Sequence, residues 1–418
     1  MSNYVPRLID RYLDEMLAEV SAVLIVGPRA CGKTTTGLRR ATSSFRLGQA
    51  AQASAVANDP DAAIAGVTAG TLLIDEWQVV PEVLGAVKRA VDEGAVPAGR
   101  FILTGSTRAD LRTEGWPATG RILRVPLWGV CQREFAGNVA ERSPIDVFFE
   151  DEMEQFRSSS EAPGVHFYVD AALRSGFPEA ARISSDRVRR AWMTSYVDQL
   201  VLRDASAAGE ERDPLRLRRY LRAVAASTAG VVSHKTIYDA AGVTRVTAAA
   251  YDGLLDLLYI VEQVPAWTTS RLSQLNQTPK RYLIDPALLG PLWQVDARAV
   301  LRDGDLMGRL IDTFVAAQIR AECVASESAP TMHHLRRSDG RHEVDLILEG
   351  PAGRVVAIEV KASSVVDLAA ARHLVWLRDS LGDQFVTGIV FHTGPFAYRM
   401  DDRIWALPIA CLWRERRG

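Results

Sequence analysis

Cysteine is scarce in this chain, with four among 418 residues, at Cys31, Cys131, Cys323 and Cys411. None falls in a C-x-x-C pair or a metal-binding spacing, which excludes a zinc ribbon or a disulfide framework and fits a reducing compartment. Cys31 alone, inside a phosphate-loop motif, reads as an oxidation site. No apolar run approaches the ~20 residues of a membrane-spanning helix. The opening stretch MSNYVPRLIDRYLDEML carries too much charge for a signal peptide. Excess positive charge is missing as well: 49 Lys and Arg stand against 51 Asp and Glu, a net charge of −2. Any contact with nucleic acid therefore has to come from a local patch. With 24% charged and 48% hydrophobic residues, the composition is that of a folded chain of several domains. The expectation is a prokaryotic cytoplasmic protein with no membrane association.

Against those absences stands GPRACGKT, made of Gly27, Pro28, Arg29, Ala30, Cys31, Gly32, Lys33 and Thr34. It follows the apolar run 22–26, which reads as a buried strand, and Thr35 opens a helix after it. A G-x4-G-K-[ST] loop between strand and helix is the phosphate-binding P-loop. Its glycines let the backbone wrap a polyphosphate with successive N–H groups pointing inward. Lys33 then reaches the β- and γ-phosphates of ATP, and the Thr34 hydroxyl ligates Mg²⁺. ATP and Mg²⁺ are the expected cofactors.

The run TLLIDEWQ, 71–78, places a second buried strand directly before two acids. Asp75 is expected at the Mg²⁺ shell, with Glu76 orienting and deprotonating the attacking water. A third strand, RFILTGST, offers Thr104 and Ser106 at its tip as γ-phosphate sensors. Arg121 is the candidate to neutralise transition-state charge, in cis or from a neighbouring copy. Alternating strands and helices, with the loop at a strand's carboxyl end, predict an α/β doubly wound parallel sheet. The segment 43–70 has no clear pattern.

Together with Gly120, Arg121, Arg133, Glu134 and Phe135, and with the later stretches SGFPEA and SYVDQLVLRD, these motifs resemble a prokaryotic family of AAA-type ATPases. Where that family usually has two glycines, this chain has Ser175-Gly176. The resemblance implies a winged helix and a restriction-endonuclease-like fold after the ATPase.

Residues 131–229 read as mostly helical, with Arg212, Arg216 and Arg219 sharing a helix face. From 231 the pattern changes. Ser233 and Thr244 cap two helices across a Gly242 turn, and the run 258–267 forms a strand and wing, the pattern of a winged helix-turn-helix. Arg245 and Thr247 open its second helix. Asp239, Asp252, Asp256 and Glu262 leave it without a basic face, so it docks either DNA or a protein.

In the last third, a helix over 308–322 precedes the strands 342–349 and 355–363. Asp345 lies on the first, and Glu359 and Lys361 project together from the second. Two carboxylates holding a divalent metal beside a lysine is what phosphodiester cleavage needs. The set is similar to the PD-(D/E)xK nuclease constellation, with Asp345 and Glu359 as metal ligands and Asp312 as the helix acid. The plainer reading is a lysine–glutamate ion pair on a sheet face. His333, His334 and His342 read as surface residues.

The expected division is an ATPase core over 1–140, a helical region over 141–229, a winged helix over 230–275 and a nuclease-like domain over 276–418. Two functions fit it. One is an ATP-regulated, metal-dependent nuclease acting on DNA or RNA. The other is an ATP-driven switch, a homo-oligomer among its forms, whose nuclease-like fold is catalytically silent and binds a protein.

Overall fold

A computed structural model describes residues 4–94, 96–105, 120–156, 158, 163–207, 213–268, 277–337 and 341–414, with side chains left aside at 203–207. The chain divides into two compact units, Met1–Val130 with Asp256–Tyr259, and Cys131–Leu255 with Ile260–Gly418.

In the first unit, helix α1 (Ile9–Glu19) leads into β1 (Ala22–Val26), and α2 (Lys33–Leu38) follows the glycine loop. The stretch without a clear pattern contains β2 (Ser43–Arg46), α3 (Ala50–Asn58) and α4 (Pro60–Ala65). Asp59 caps α4 and proline occupies its first turn, a start signal hidden among small residues. Then come β3 (Leu72–Asp75), α5 (Val83–Asp92), β4 (Phe101–Gly105) and β5 (Leu123–Pro126). The five strands form one sheet in the order β2-β3-β4-β1-β5, parallel throughout. Its central strands are apolar on both faces and fully buried, as a sheet covered by helices on each side requires. The α/β reading with a parallel sheet holds.

The second unit begins with short helices, α6 (Gln132–Ala136), α7 (Pro144–Phe149), α8 (Val165–Arg174) and α9 (Pro178–Arg182). The longer α10 (Asp186–Ala207) and α11 (Pro214–Ala226) follow. Helices α12 (His234–Ala241) and α13 (Arg245–Leu257) turn at Gly242, whose φ is +64°. Ser233 and Thr244 accept hydrogen bonds from Thr236 N and Thr247 N, so both caps fall where the sequence puts them. The antiparallel pair β6 (Val261–Val264) and β7 (Lys280–Leu283) comes next. Helices α14 (Leu289–Trp293), α15 (Ala297–Arg302) and α16 (Gly304–Ala325) then lead to β8 (Thr331–Arg336), β9 (Glu343–Glu349) and β10 (Val355–Val360). Helix α17 (Arg372–Leu381) and strands β11 (Phe385–His392), β12 (Tyr398–Asp401) and β13 (Ile404–Pro408) complete a six-stranded sheet ordered β12-β13-β11-β10-β9-β8.

Strand β8 is absent from the sequence reading, and with it goes the surface assignment of two histidines. His333 and His334 are buried on β8. Two of the three arginines expected on one helix face lie on α11. Arg212 lies outside the described residues, Arg216 pairs with Asp213, and Arg219 faces a cavity.

The Arg133-Glu134-Phe135 stretch has a structural role. Glu134 reaches back to Cys131 N as half of a capping box. Arg133 donates to Glu322 of α16 at 2.7 Å, and Ser143 donates to the same oxygen at 2.8 Å. Burial pushes the Glu322 carboxyl up to about 7, against the pull of Arg133. Arg133→Met is expected to cost about 3–5 kcal/mol in chemical denaturation, because it strands a buried charge. Adding Glu322→Leu should recover most of that loss, since no unpaired carboxylate remains.

Ser175 sits at φ +80°, ψ 150°, a region glycine occupies at far lower cost. Its hydroxyl donates to Asp285 at 2.7 Å and accepts from Phe177 N at 3.0 Å. Those two bonds offset the strain.

Candidate functional site

The P-loop leaves β1 at Gly27, φ +150°, where a Cβ would lie 2.0 Å from Leu127 O. Only glycine fits there. Ala30 (φ +62°) and Gly32 (φ +102°) continue the left-handed turn that curls the loop. Arg7, which the sequence reading passed over, holds the curl from behind. Its buried guanidinium donates to Cys31 O at 2.8 Å and to Trp128 O at 2.7 Å. The Cys31 thiol donates to Leu127 O at 3.2 Å and is fully buried, which removes it as an accessible oxidation site. Pro28 is buried and Arg29 half-buried on the loop, and Thr35 is exposed on the first turn of α2. Lys33 rests its ammonium on the loop's own carbonyls, Gly27 O at 3.0 Å and Pro28 O at 2.7 Å.

Sheet order decides what meets the loop. Strand β4 lies between β1 and β3, so Thr104 stands in register with Ile25 on one side and Asp75 on the other. Asp75 Oδ1 accepts from both the Thr34 hydroxyl, at 2.7 Å, and the Thr104 hydroxyl. Thr34 and Asp75 are thus adjacent hard-oxygen donors, the set Mg²⁺ takes, and the residues fit that ion. Glu76 follows in the left-handed region at φ +60°, an uncommon conformation for glutamate that redirects its side chain at the strand end. Gln78 Nε2 donates to Glu76 Oε2 and fixes it. Gly105 leaves room for this arrangement, since a Cβ there would lie 2.5 Å from Trp77 Nε1. Gln78, like Arg7, is a supporting residue that the sequence reading missed. Ser106 lies outside the described residues.

Arg121 is not brought to the loop. It precedes β5 by two residues, at the sheet end opposite Gly27, and its half-exposed guanidinium donates to Asp92 at 2.6 Å. Parallel pairing of β1 and β5 puts their carboxyl ends together, so a residue ahead of β5 is necessarily far from the loop.

The second constellation sits on β9 and β10. Continuing the register Leu346↔Ile358 places Asp345 opposite Glu359. Lys361 Nζ donates to Glu359 Oε2 at 2.7 Å. Asp345 Oδ2 accepts from Val360 N at 3.0 Å. The sequence reading did not anticipate Lys280, from β7. Its ammonium donates to Asp312 Oδ2 at 2.7 Å, Asp345 Oδ1 at 2.9 Å and Asp345 O at 3.3 Å. Tyr282 adds a hydrogen bond to Asp312 Oδ1 at 3.0 Å. Lys280 is 1% exposed. Burial would lower its pKa, but the two aspartates raise it well above the usual lysine value. Burial also pushes Asp312 up to about 6 and, with the charge of Asp345, Glu359 up to about 8. Asp345 goes the other way: burial opposes ionisation, yet Lys280 and Lys361 hold it below the usual carboxylate range.

A divalent cation bound by Asp312 Oδ2 and Asp345 Oδ1 would have to displace the Lys280 ammonium from both. Among the described residues no group of three or more His, Cys, Asp or Glu is arranged to hold a metal. The expected pair Asp345 and Glu359 lies within an ion cluster in which Lys280 bridges Asp312 and Asp345 and Lys361 pairs with Glu359.

A parallel sheet with a P-loop after one strand, an acid two strands away and a hydroxyl between them defines a P-loop ATPase domain. Residues 19–136 match the model of an AAA domain, which fits that class. Residues 166–299 and 307–412 match two domains of unknown function, DUF8612 and DUF4143. Among solved structures, a Walker-type ATPase of Pyrococcus abyssi is 15% identical, with 68% of this chain and 94% of that one covered at a TM-score of 0.40. A variant RuvB of Thermotoga maritima is 18% identical, with 64% and 94% covered at 0.29. No curated protein matches. No helix among the described residues is long and apolar enough to cross a membrane.

Proposed function

We propose that this chain is an ATP-driven switch whose C-terminal, nuclease-like fold binds its target without cutting it. Lys33 and the loop amides hold the phosphates of ATP, Thr104 senses the γ-phosphate, and Glu76, clamped by Gln78, orients and deprotonates the attacking water. Thr34 and Asp75 hold Mg²⁺, which neutralises phosphate charge when bound. Arg121 can contribute only from a neighbouring copy, where a homo-oligomer supplies it in trans.

In this reading a winged helix over 230–275 is the docking element and a PD-(D/E)xK-like fold occupies 276–418, while the first compact unit ends at Val130 rather than at 140. The observation that carries the silent reading is Lys280, seated between Asp312 and Asp345. The nuclease reading has in its favour the convergence of Asp345, Glu359 and Lys361, and needs a metal where Lys280 sits.

One assay separates them. Supercoiled plasmid is incubated with the full chain, ATP and Mg²⁺ or Mn²⁺, beside Asp345→Ala. Phosphate release with intact plasmid in both lanes is the expected result. Nicking by the wild type that disappears in Asp345→Ala would overturn it.

A further inference from the structure

A cavity of about 800 Å³ opens in the second unit, bounded by β8, α17, the segment before α12 and the ends of the β6–β7 hairpin. It is separate from the P-loop and plays no part in the chemistry above. Its wall is unusual for a chain with more acids than bases, because among the described residues two arginines line it and no carboxylate does. Arg336 and Arg337 are both exposed, and among the described residues no carboxylate pairs with Arg337. Two tryptophans, Trp267 and Trp376, also line the cavity. Trp376 is held flat by His342, stacked on it at 3.9 Å between centroids and 13° between planes. The Arg337 guanidinium lies 5.7 Å from the centre of the same ring.

His334 adds a directional group. It lines the cavity, is 1% exposed, and its Nε2 lies 3.1 Å from Thr278 O. A carbonyl accepts, so Nε2 carries the hydrogen, and Nδ1 is left as a lone-pair acceptor. Nδ1 has no partner among the described residues. A buried acceptor without a donor costs free energy that a ligand N–H can recover.

Arg336, paired with Glu343 at 3.9 Å, is the weaker of the two cations. Planar indoles, the unopposed Arg337 beside one of them and one buried acceptor call for a ligand with a flat aromatic ring, an N–H edge and negative charge. That is a nucleotide unit. We infer that this cavity binds single-stranded nucleic acid, with bases stacking on Trp376 and Trp267, phosphates on Arg336 and Arg337, and a base N–H on His334. The volume is near the upper end of the roughly 300–1,000 Å³ of small-molecule sites, which favours a strand over a single free nucleotide.

The test is fluorescence anisotropy of a labelled short oligothymidylate with the full chain across a salt series. The wild type should bind with an affinity that falls as salt rises. Arg337→Ala should weaken binding and reduce the salt slope by about 0.7, the share of one phosphate contact on a single strand. Trp376→Ala should weaken it about tenfold or more. Trp376 also packs against the sheet core, so the exposed Arg337 variant decides if the tryptophan variant misfolds. Arg11→Ala, on the unrelated α1, should change neither quantity. No binding by the wild type, or equal binding by Arg337→Ala, would overturn the inference. Displacement of the strand by free uridine monophosphate would overturn the strand as ligand, and displacement by an acidic peptide would overturn nucleic acid altogether.

Discussion

Lys33→Ala should lower ATP hydrolysis by about two to three orders of magnitude and weaken ATP binding with it, whereas Glu76→Gln should lose the rate and keep the affinity. The split follows from where the two side chains stand. Lys33 lies inside the curl of the loop, on the carbonyls of Gly27 and Pro28, and is positioned to reach the phosphates both before and during transfer. Removing a preorganised charge of this kind typically costs ~10²–10³ in rate. Glu76 stands at the end of β3, beyond the residue in register with Thr104, and in the proposed mechanism acts on water rather than on the ground-state phosphates. Loss of the carboxylate should therefore appear in kcat, with KM nearly unchanged. Phosphate-release rates, with binding of a fluorescent ATP analogue measured in parallel, check both. Hydrolysis surviving in Lys33→Ala would remove this loop as the active site.

The features that were legible in the sequence are those in which chemistry and spacing are contiguous. The phosphate loop, the acid pair after β3, and the Ser233 and Thr244 caps each depend on residues a few positions apart, so one window contains the whole signal. The features that were missed are assembled from distant segments. Arg7 reaches Cys31 and Trp128 across 24 and 121 positions. Arg133 meets Glu322 across 189. No local pattern reports such pairs, and an arginine seen alone reads as a solvated charge. Strand β8 escaped for a different reason. Its sequence TMHHLR puts two histidines where apolar residues mark a strand, and neutral, buried histidine is invisible to a hydrophobic alternation count. For Arg121 the motif gave only its neighbourhood in sequence; parallel strand order puts it at the sheet end away from its own loop, which leaves the trans half of the expectation.

Lys280→Met should convert the C-terminal ion cluster into a metal site. In the wild type one ammonium neutralises Asp312 and Asp345 at 2.7 and 2.9 Å, on a strand whose residues are all buried. Methionine keeps most of the volume of the stem and removes the charge. Two buried aspartates then lose the cation they share, with Glu359 opposite Asp345 across the strand pair. Breaking a buried pair by removing one partner costs about 3–5 kcal/mol, so the variant should melt well below the wild type. The same three carboxylates, freed of the ammonium, form an all-oxygen pocket of the kind Mn²⁺ and Mg²⁺ accept. A ligand that binds only the folded state raises stability by mass action. Millimolar Mn²⁺ should thus raise the melting temperature of Lys280→Met and lose that effect when Asp345→Ala is added. In the wild type, Asp345→Ala should leave the response to Mn²⁺ unchanged. This contrast separates a lysine that replaced a metal from one that merely lies near its binding site. If the wild type were stabilised by Mn²⁺ through Asp345, Lys280 would be a displaceable occupant and the nuclease reading would regain its metal.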